Sequence, residues 1–492
     1  MRRGRAFVAL SAALLLAGGC RSGKDITDTG ATTPATVTTL PGDTLAPTTT
    51  VPADTLPDCP TDELAAASGT VDLQFWHGMT GELGNAIESL ADQYNSSQSK
   101  VHVSLLGASY EETFDKYLQS GTGSRPDMLQ LPEYTVQSII DTDSVVPVGK
   151  CIESSGFDTS AFLPTALSAY ATQGVQWSMP FNVSNPVLFY NKRVFAAAGL
   201  DPGQPPRSLE EVRAYSQQIV ESGAATYGIA LESGFDSGGG WYMEQWLCKA
   251  GEFYTDQDNG RSNRSTQVLF NNQAGVDLLT FLQQMVNDGL AVNVGDNATT
   301  GFDNLLKLAD DQQPAAMTIA TSASLGPVLA VLAGGQFPNI GADDVGVGPM
   351  PGPDGAPGVL VGGASLWIVD KDDGLKAAAA WDFISFLVGA AQQSEWAAAT
   401  GYVPIRADAQ DVDPFKTTVA NDPRFGVALG QLEDTPDVPT SAGPVVGPLR
   451  EIRAAVSTAV AAVLDGASAQ TALDQAAQQS NNLIADYNSR NG

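Results

Sequence analysis

His77 and His102 are the only histidines among 492 residues, and Cys20, Cys59, Cys151 and Cys248 are the only cysteines. So small a set leaves little room for a histidine-based metal centre or a Ser-His-Asp engine. Carboxylates are plentiful, 55 in all, so a pair of acids taken alone carries almost no weight for glycosidase chemistry. Asp256-Gln257-Asp258-Asn259-Gly260 opens like a calcium loop, but Gly260 stands at a ligand position and Gln267 where a bidentate Glu belongs. It reads as a polar loop. The glycine-rich stretch 234–240 lacks the Gly-Lys-Ser/Thr ending of a phosphate loop, and 349–358 is Pro/Gly loop chemistry. No cofactor and no metal is expected.

Composition narrows the field further. Apolar residues make up 43% and aromatics 8%, too rich for a disordered chain, and the length suggests two or three domains. Only 25 basic residues oppose the acids, for a formal charge of −30. Such a surface repels phosphate backbones, so nucleic-acid binding is not expected.

Arg2, Arg3 and Arg5 precede an apolar run over 6–17, too short to cross a bilayer but right for an export signal. The run ends Leu16-Ala17-Gly18-Gly19-Cys20, which resembles a bacterial lipobox, so 1–19 is expected to be a signal peptide and Cys20 the lipidated residue. Cleavage there removes the three arginines and takes the charge from −30 to −33. From 20 to 62 the chain is rich in Thr, Pro, Asp and Ala, a composition that cannot offset its ordering entropy and suits a stalk. Outside the cell disulfides form. We pair Cys59 with Cys151, which would clamp the stalk exit to the body, and expect Cys248 to be a buried thiol.

The body alternates strands and helices. Val71-Asp72-Leu73-Gln74-Phe75 alternates as a strand, and Leu83, Ile87, Leu90 and Tyr94 follow at helical spacing. A strand over 101–106, a helix from about Tyr110 and a strand at 128–131 come next. That β-α-β-α-β order predicts a parallel sheet covered by helices. A second set begins at Val187-Leu188-Phe189-Tyr190, and Ser208-Leu209-Glu210-Glu211 has the form of a capping box. Leu449, Ile452, Val456, Val460 and Val463 form one apolar stripe, followed by a last helix to about Tyr487.

Several stretches together resemble a family. Phe75-Trp76-His77-Gly78-Met79-Thr80-Gly81-Glu82-Leu83-Gly84, then Pro180-Phe181-Asn182-Val183-Ser184-Asn185-Pro186-Val187-Leu188-Phe189-Tyr190-Asn191-Lys192, Ala198-Gly199-Leu200-Asp201-Pro202, Gly362-Gly363-Ala364-Ser365-Leu366-Trp367 and Thr400-Gly401-Tyr402-Val403-Pro404-Ile405 occur in order. They resemble family 1 extracellular solute-binding proteins of ABC importers, in their glycerol-phosphate branch. The resemblance implies an α/β, two-lobed, periplasmic-binding-protein-like fold of type II, with discontinuous lobes, a hinge and a ligand cleft between them. By analogy, 63–183 with 320–368 form the first lobe and 184–319 with 369–492 the second, with crossings near 180–185, 318–324 and 367–370.

The same resemblance implies substrate contacts at Tyr110, Glu133, Ser184, Phe235, Trp241, Ser322, Ser324, Gly363 and Tyr402. It places Val445 where the family carries its phosphate-binding arginine, with Arg450 as a helix-face residue, which puts an essential phosphate in doubt. The ligand is then a glycerol-phosphate derivative, such as a glycerophosphodiester, or a neutral sugar or polyol. The implied partners are that hydroxyl-rich solute, the permease subunits of an ABC importer and the membrane that holds the lipid. The protein is expected to be a monomer at the extracytoplasmic face and not an enzyme. An anchored glycan-processing enzyme is the alternative.

Overall fold

The computed structural model describes residues 55–299, 301–335 and 337–491. The signal peptide, Cys20 and the stalk as far as residue 54 lie outside the described residues.

Two sheets organise the chain. In the first, strands β1 (Val71–His77), β2 (Val101–Gly107), β3 (Met128–Pro132) and β4 (Val145–Val146) are joined by β5 (Met179–Ser184). In the second lie β6 (Pro186–Asn191), β7 (Tyr227–Leu231), β8 (Ala291–Asn293), β9 (Ala315–Thr321) and β10 (Val345–Pro349). The last strand, β11 (Gly362–Val369), returns to the first sheet. There the order is β2-β1-β3-β11-β4, with β5 also on β11; the second sheet runs β8-β7-β9-β6-β10. β1 is parallel to β2 and β3, whereas β11 is antiparallel to β3, β4 and β5.

Helices cover these sheets for the reasons the apolar spacing predicts. Helix α1 (Gly81–Ser97) buries Ile87, Leu90, Ala91 and Tyr94; Leu83, the first residue of that stripe, instead reaches the cleft between the lobes. Helix α2 (Tyr110–Gln119) starts at a complete capping box, Ser109 accepting from the Glu112 amide and Glu112 from the Ser109 amide. Helix α3 (Leu209–Ser222) starts the same way at Ser208 and Glu211, and Gly223 closes it in the left-handed conformation. In the second lobe, α4 (Trp241–Lys249), α5 (Gln273–Asn287), α10 (Leu449–Leu464) and α11 (Ala469–Asn491) contribute to one core around Leu278, Leu282, Ile452, Val456 and Leu473.

The lobe boundaries depart from those implied by analogy. Residues 320–349 include the end of β9 and all of β10, both strands of the second sheet. Helices α7 (Gly374–Leu387) and α8 (Ala390–Thr400), assigned to the second lobe, pack on β1, β11 and α1 of the first. Helix α6 (Leu325–Ala333) touches α8, so the chain near 318–324 meets the first lobe without entering its sheet. The later crossing falls at 350–361, between β10 and β11, and not at 367–370, which lies at the end of β11 and just beyond. The first crossing is sharp. Ser184 ends β5 and Pro186 begins β6, with Asn185 between them accepting from the Ser322 amide (2.9 Å) and from Gln431 Nε2 (2.9 Å) while donating to the Ala428 carbonyl (2.8 Å), the last two on helix α9 (Val427–Glu433).

Cys59 is disulfide-bonded to Cys151 across 92 residues, and Cys248 is buried as a free thiol that burial pushes up to about 12. Closing so long a loop removes on the order of 4 kcal/mol of unfolded-state entropy.

The lobes also touch directly. Arg264 meets both carboxylate oxygens of Asp141, at 2.9 and 2.5 Å, and Tyr487 donates to the same carboxylate at 2.8 Å. Arg450 reaches Asp115 at 3.0 Å. Arg261 is different: among the described residues its guanidinium donates only to backbone carbonyls, of Ser168 (2.6 Å), Ala169 (3.2 Å) and Ala171 (2.7 Å) in the first lobe and of Gly443 (2.8 Å) and Ala442 before α10.

Candidate ligand-binding cleft

A cavity of about 140 Å³ opens between the two sheets at the ends of their strands. Tyr110 enters at the first residue of α2, Glu133 from the turn after β3, Ser184 from the crossing and Gly363 from β11. Trp241 comes from the start of α4, Ser324 from the turn before α6, and Tyr402 from the loop after α8. Seven of the nine expected contact residues therefore line one cavity.

Phe235 and Ser322 do not. The Phe235 ring packs edge-on against Tyr134, with centroids 6.4 Å apart. The Ser322 hydroxyl accepts from the Asn185 amide at 3.4 Å and so staples the crossing. Glycine at the neighbouring positions is dictated by space. A Cβ on Gly363 would lie 2.0 Å from the Asn182 carbonyl oxygen, and its φ of +92° is itself a glycine conformation; a Cβ on Gly362 would strike the Trp241 ring.

One polar relay orients the first lobe's contribution. The Gly78 amide donates to Gln130 Oε1 (2.9 Å), Gln130 Nε2 to Asn182 Oδ1 (2.8 Å), and Asn182 Nδ2 to the Tyr110 hydroxyl (2.8 Å). Tyr110 in turn bonds to the Tyr402 hydroxyl. Burial holds both phenols above their ordinary pKa, so each stays protonated. His77, beside Gly78, accepts from the Met79 amide at 3.3 Å and is pushed down to about 4 by burial. It is a neutral packing residue. The Trp241 indole N–H is buried without a hydrogen-bond partner among the described residues. A ligand oxygen is the natural acceptor for it.

The residue that dominates the electrostatics is Arg453 of α10, 2% exposed. Its Nε and Nη2 meet the two oxygens of Glu244 at 2.6 and 2.8 Å, and Nη2 also meets Glu133 Oε1 at 2.8 Å. Asp236 Oδ1 lies 3.7 Å from Nη1. Burial works against the Arg453 charge, but Glu244 and Glu133 outweigh it and hold the guanidinium protonated. Burial pushes Glu133 up, while Arg453 opposes that rise. The expectation built on Val445 left this arginine out of account. That valine is buried, its amide donating to the Asn259 carbonyl at 2.7 Å, and does not line the cavity. The guanidinium enters from α10 two turns later. A side chamber shares Asp236, Trp241, Phe302, Thr321 and Ser324 with the main cavity and adds Glu232 and Asp296.

Residues 89–425 match the family model of bacterial extracellular solute-binding proteins. The chain belongs to this solute-binding family. It is 31% identical over 441 residues to the sn-glycerol-3-phosphate-binding periplasmic protein UgpB of Pectobacterium atrosepticum, covering 86% of this chain and 93% of that one. Among solved structures, the cyclic alpha-maltosyl-1,6-maltose binding protein of Arthrobacter globiformis superposes with a TM-score of 0.69 at 22% identity, covering 85% of this chain and all of the other. UgpB of Mycobacterium tuberculosis in complex with glycerophosphocholine does so with 0.68 at 22%, covering 86% of this chain and all of the other. This solute-binding protein therefore has the two-lobed, type II periplasmic-binding-protein fold, with its cleft where the strand ends of the two sheets face each other.

Proposed function

We propose that this protein is the lipid-anchored binding component of an ABC importer and that it captures a glycerophosphodiester. One observation carries the reading: a single guanidinium, with Nη1 making no hydrogen bond among the described residues, faces a cavity shared with the hydroxyls of Tyr110, Ser184, Ser324 and Tyr402. Hydroxyls and an indole N–H suit glycerol oxygens, and one guanidinium nitrogen suits one phosphoryl charge. Glu133, Glu244 and Asp236 around that cation disfavour a phosphate monoester dianion. The names of the relatives support the glycerol-phosphate class. A neutral polyol is the second reading, favoured by the same three carboxylates.

Calorimetry with glycerophosphocholine, glycerol 3-phosphate and a neutral polyol tests the reading. The diester should bind most tightly. Tyr110→Phe should weaken it about tenfold, the worth of roughly one hydrogen bond, and lower the melting temperature of unliganded protein modestly, because the buried Asn182 amide loses this acceptor. Tighter binding of glycerol 3-phosphate, or equal affinity in the variant, would overturn the assignment; equal binding of diester and polyol would favour the second reading. Anchoring is tested separately. Cys20→Ser should move the protein from membranes into the soluble fraction, and a variant that stays membrane-bound would refute the lipid anchor.

A further inference from the structure

The groups around Arg453 do not balance. Three carboxylates, Glu133, Glu244 and Asp236, share one guanidinium in a buried place. An anionic ligand group docking at Nη1 adds a further negative charge, and like charges at this range in a low-dielectric cleft are strongly disfavoured.

The geometry says which acid can yield. Glu244 takes two hydrogen bonds from Arg453 and its side chain is 1% exposed. Glu133 keeps a direct contact of 2.8 Å. Asp236 stands at 3.7 Å, beyond hydrogen-bond range, and its side chain is 20% exposed towards the cavity. It is the one acid of the three that gives up no hydrogen bond to Arg453 by taking a proton, and, like Glu133 at 16% exposure, it reaches the cavity, where that proton can exchange with water.

We propose, on the reading of the ligand as a phosphodiester, that Asp236 is a specificity-determining residue that must be protonated for an anionic group to dock at Arg453. The proton comes from solvent and resides on an Asp236 carboxylate oxygen, which becomes a donor to the ligand. Nothing else is transferred. Deprotonated, Asp236 competes with the ligand for Nη1 and repels it.

The groups facing Asp236 divide between one cation and several acids. Arg453 on α10 favours its charged form, but Glu133 from the turn after β3, Glu111 on α2 and Glu244 on α4 oppose it. Tyr134 lies beside it and donates to Glu111 at 3.3 Å; Glu232 and Asp296 line the adjoining chamber. Burial, the largest influence, and these acids push Asp236 up to about 8.

The experiment follows glycerophosphocholine binding to the full-length protein from pH 6.5 to 9.5. A phosphodiester does not titrate in this window, so any dependence belongs to the protein. Affinity should fall about tenfold or more above pH 8, and calorimetry at pH 8.5 in buffers of different ionisation enthalpy should show net proton uptake. Asp236→Asn should bind with the same affinity at both ends of the range. A flat wild-type profile, or an unaltered slope in Asp236→Asn, overturns the proposal. A ligand-free reading separates it from the choice of ligand: the carboxyl ¹³C resonance lost in Asp236→Asn should titrate near pH 8 in unliganded protein. A midpoint below about pH 5 sinks the proposal whatever binds. Failure of glycerophosphocholine to bind at any pH, with that midpoint in place, overturns the phosphodiester reading and with it the coupling proposed here.

Discussion

Arg453→Ala should be the most damaging single substitution in the cleft, costing about 3–5 kcal/mol of stability at pH 8 and removing binding of an anionic ligand. The expected loss stems from what remains behind. Glu133, Glu244 and Asp236 would stay buried without the one cation they share among the described residues. The pKa values of Glu133 and Asp236, already raised by burial, would rise further. A carboxyl whose pKa is higher folded than unfolded loses stability as pH rises towards its folded value, so the deficit should shrink on acidification. The variant should therefore melt closer to wild type at pH 5.5 than at pH 8. Arg453→Lys should fall between, because an ammonium cannot engage both oxygens of Glu244 in parallel while also reaching Glu133. Thermal denaturation at both pH values checks this, and wild-type stability of Arg453→Ala at pH 8 would show that the cluster is not held as described.

Gly363→Val should abolish binding and lower stability by about 3 kcal/mol or more. Two costs coincide at this residue. Its φ of +92° is hostile to any side chain and worst for a β-branched one. Its Cβ would lie 2.0 Å from the Asn182 carbonyl oxygen, an atom fixed in the pairing of β5 with β11. The backbone must move, and Asn182 is the residue whose amide orients the Tyr110 hydroxyl. Damage to the sheet therefore reaches the ligand site through one hydrogen bond. Calorimetry and a melting curve on Gly363→Val provide the check; wild-type affinity would mean that the strand accommodates the change.

Much of this architecture is legible in the residues, and the reasons for the rest are specific. The alternation of 71–75, the helical stripe from Ile87 to Tyr94 and the two capping boxes are local signals, and local hydrogen bonds satisfy them. Lobe membership of α7 was illegible because its run Ala377-Ala378-Ala379-Ala380 is buried throughout and points to no single neighbour. The Pro/Gly stretch 349–358 looked like an idle loop, yet it begins the crossing from β10 to β11. Arg453 was hidden by its own helix: it adjoins Ile452 of the apolar stripe, and its acids Glu244 and Glu133 are 209 and 320 residues away. An arginine next to a buried stripe was the available signal. Only tertiary structure names its partners.

In a chain with 55 acids, the clasp that Arg261 forms with five carbonyls has no carboxylate in it. Counter-ions compete with carboxylates, and acid neutralises them, but neither acts on a peptide dipole. The Arg264–Asp141 and Arg450–Asp115 pairs should accordingly loosen in brine, whereas the Arg261 contact should not. The two lobes are thereby joined by fastenings of unlike chemistry, so changing salinity would weaken some of the contacts between them and leave the Arg261 clasp in place.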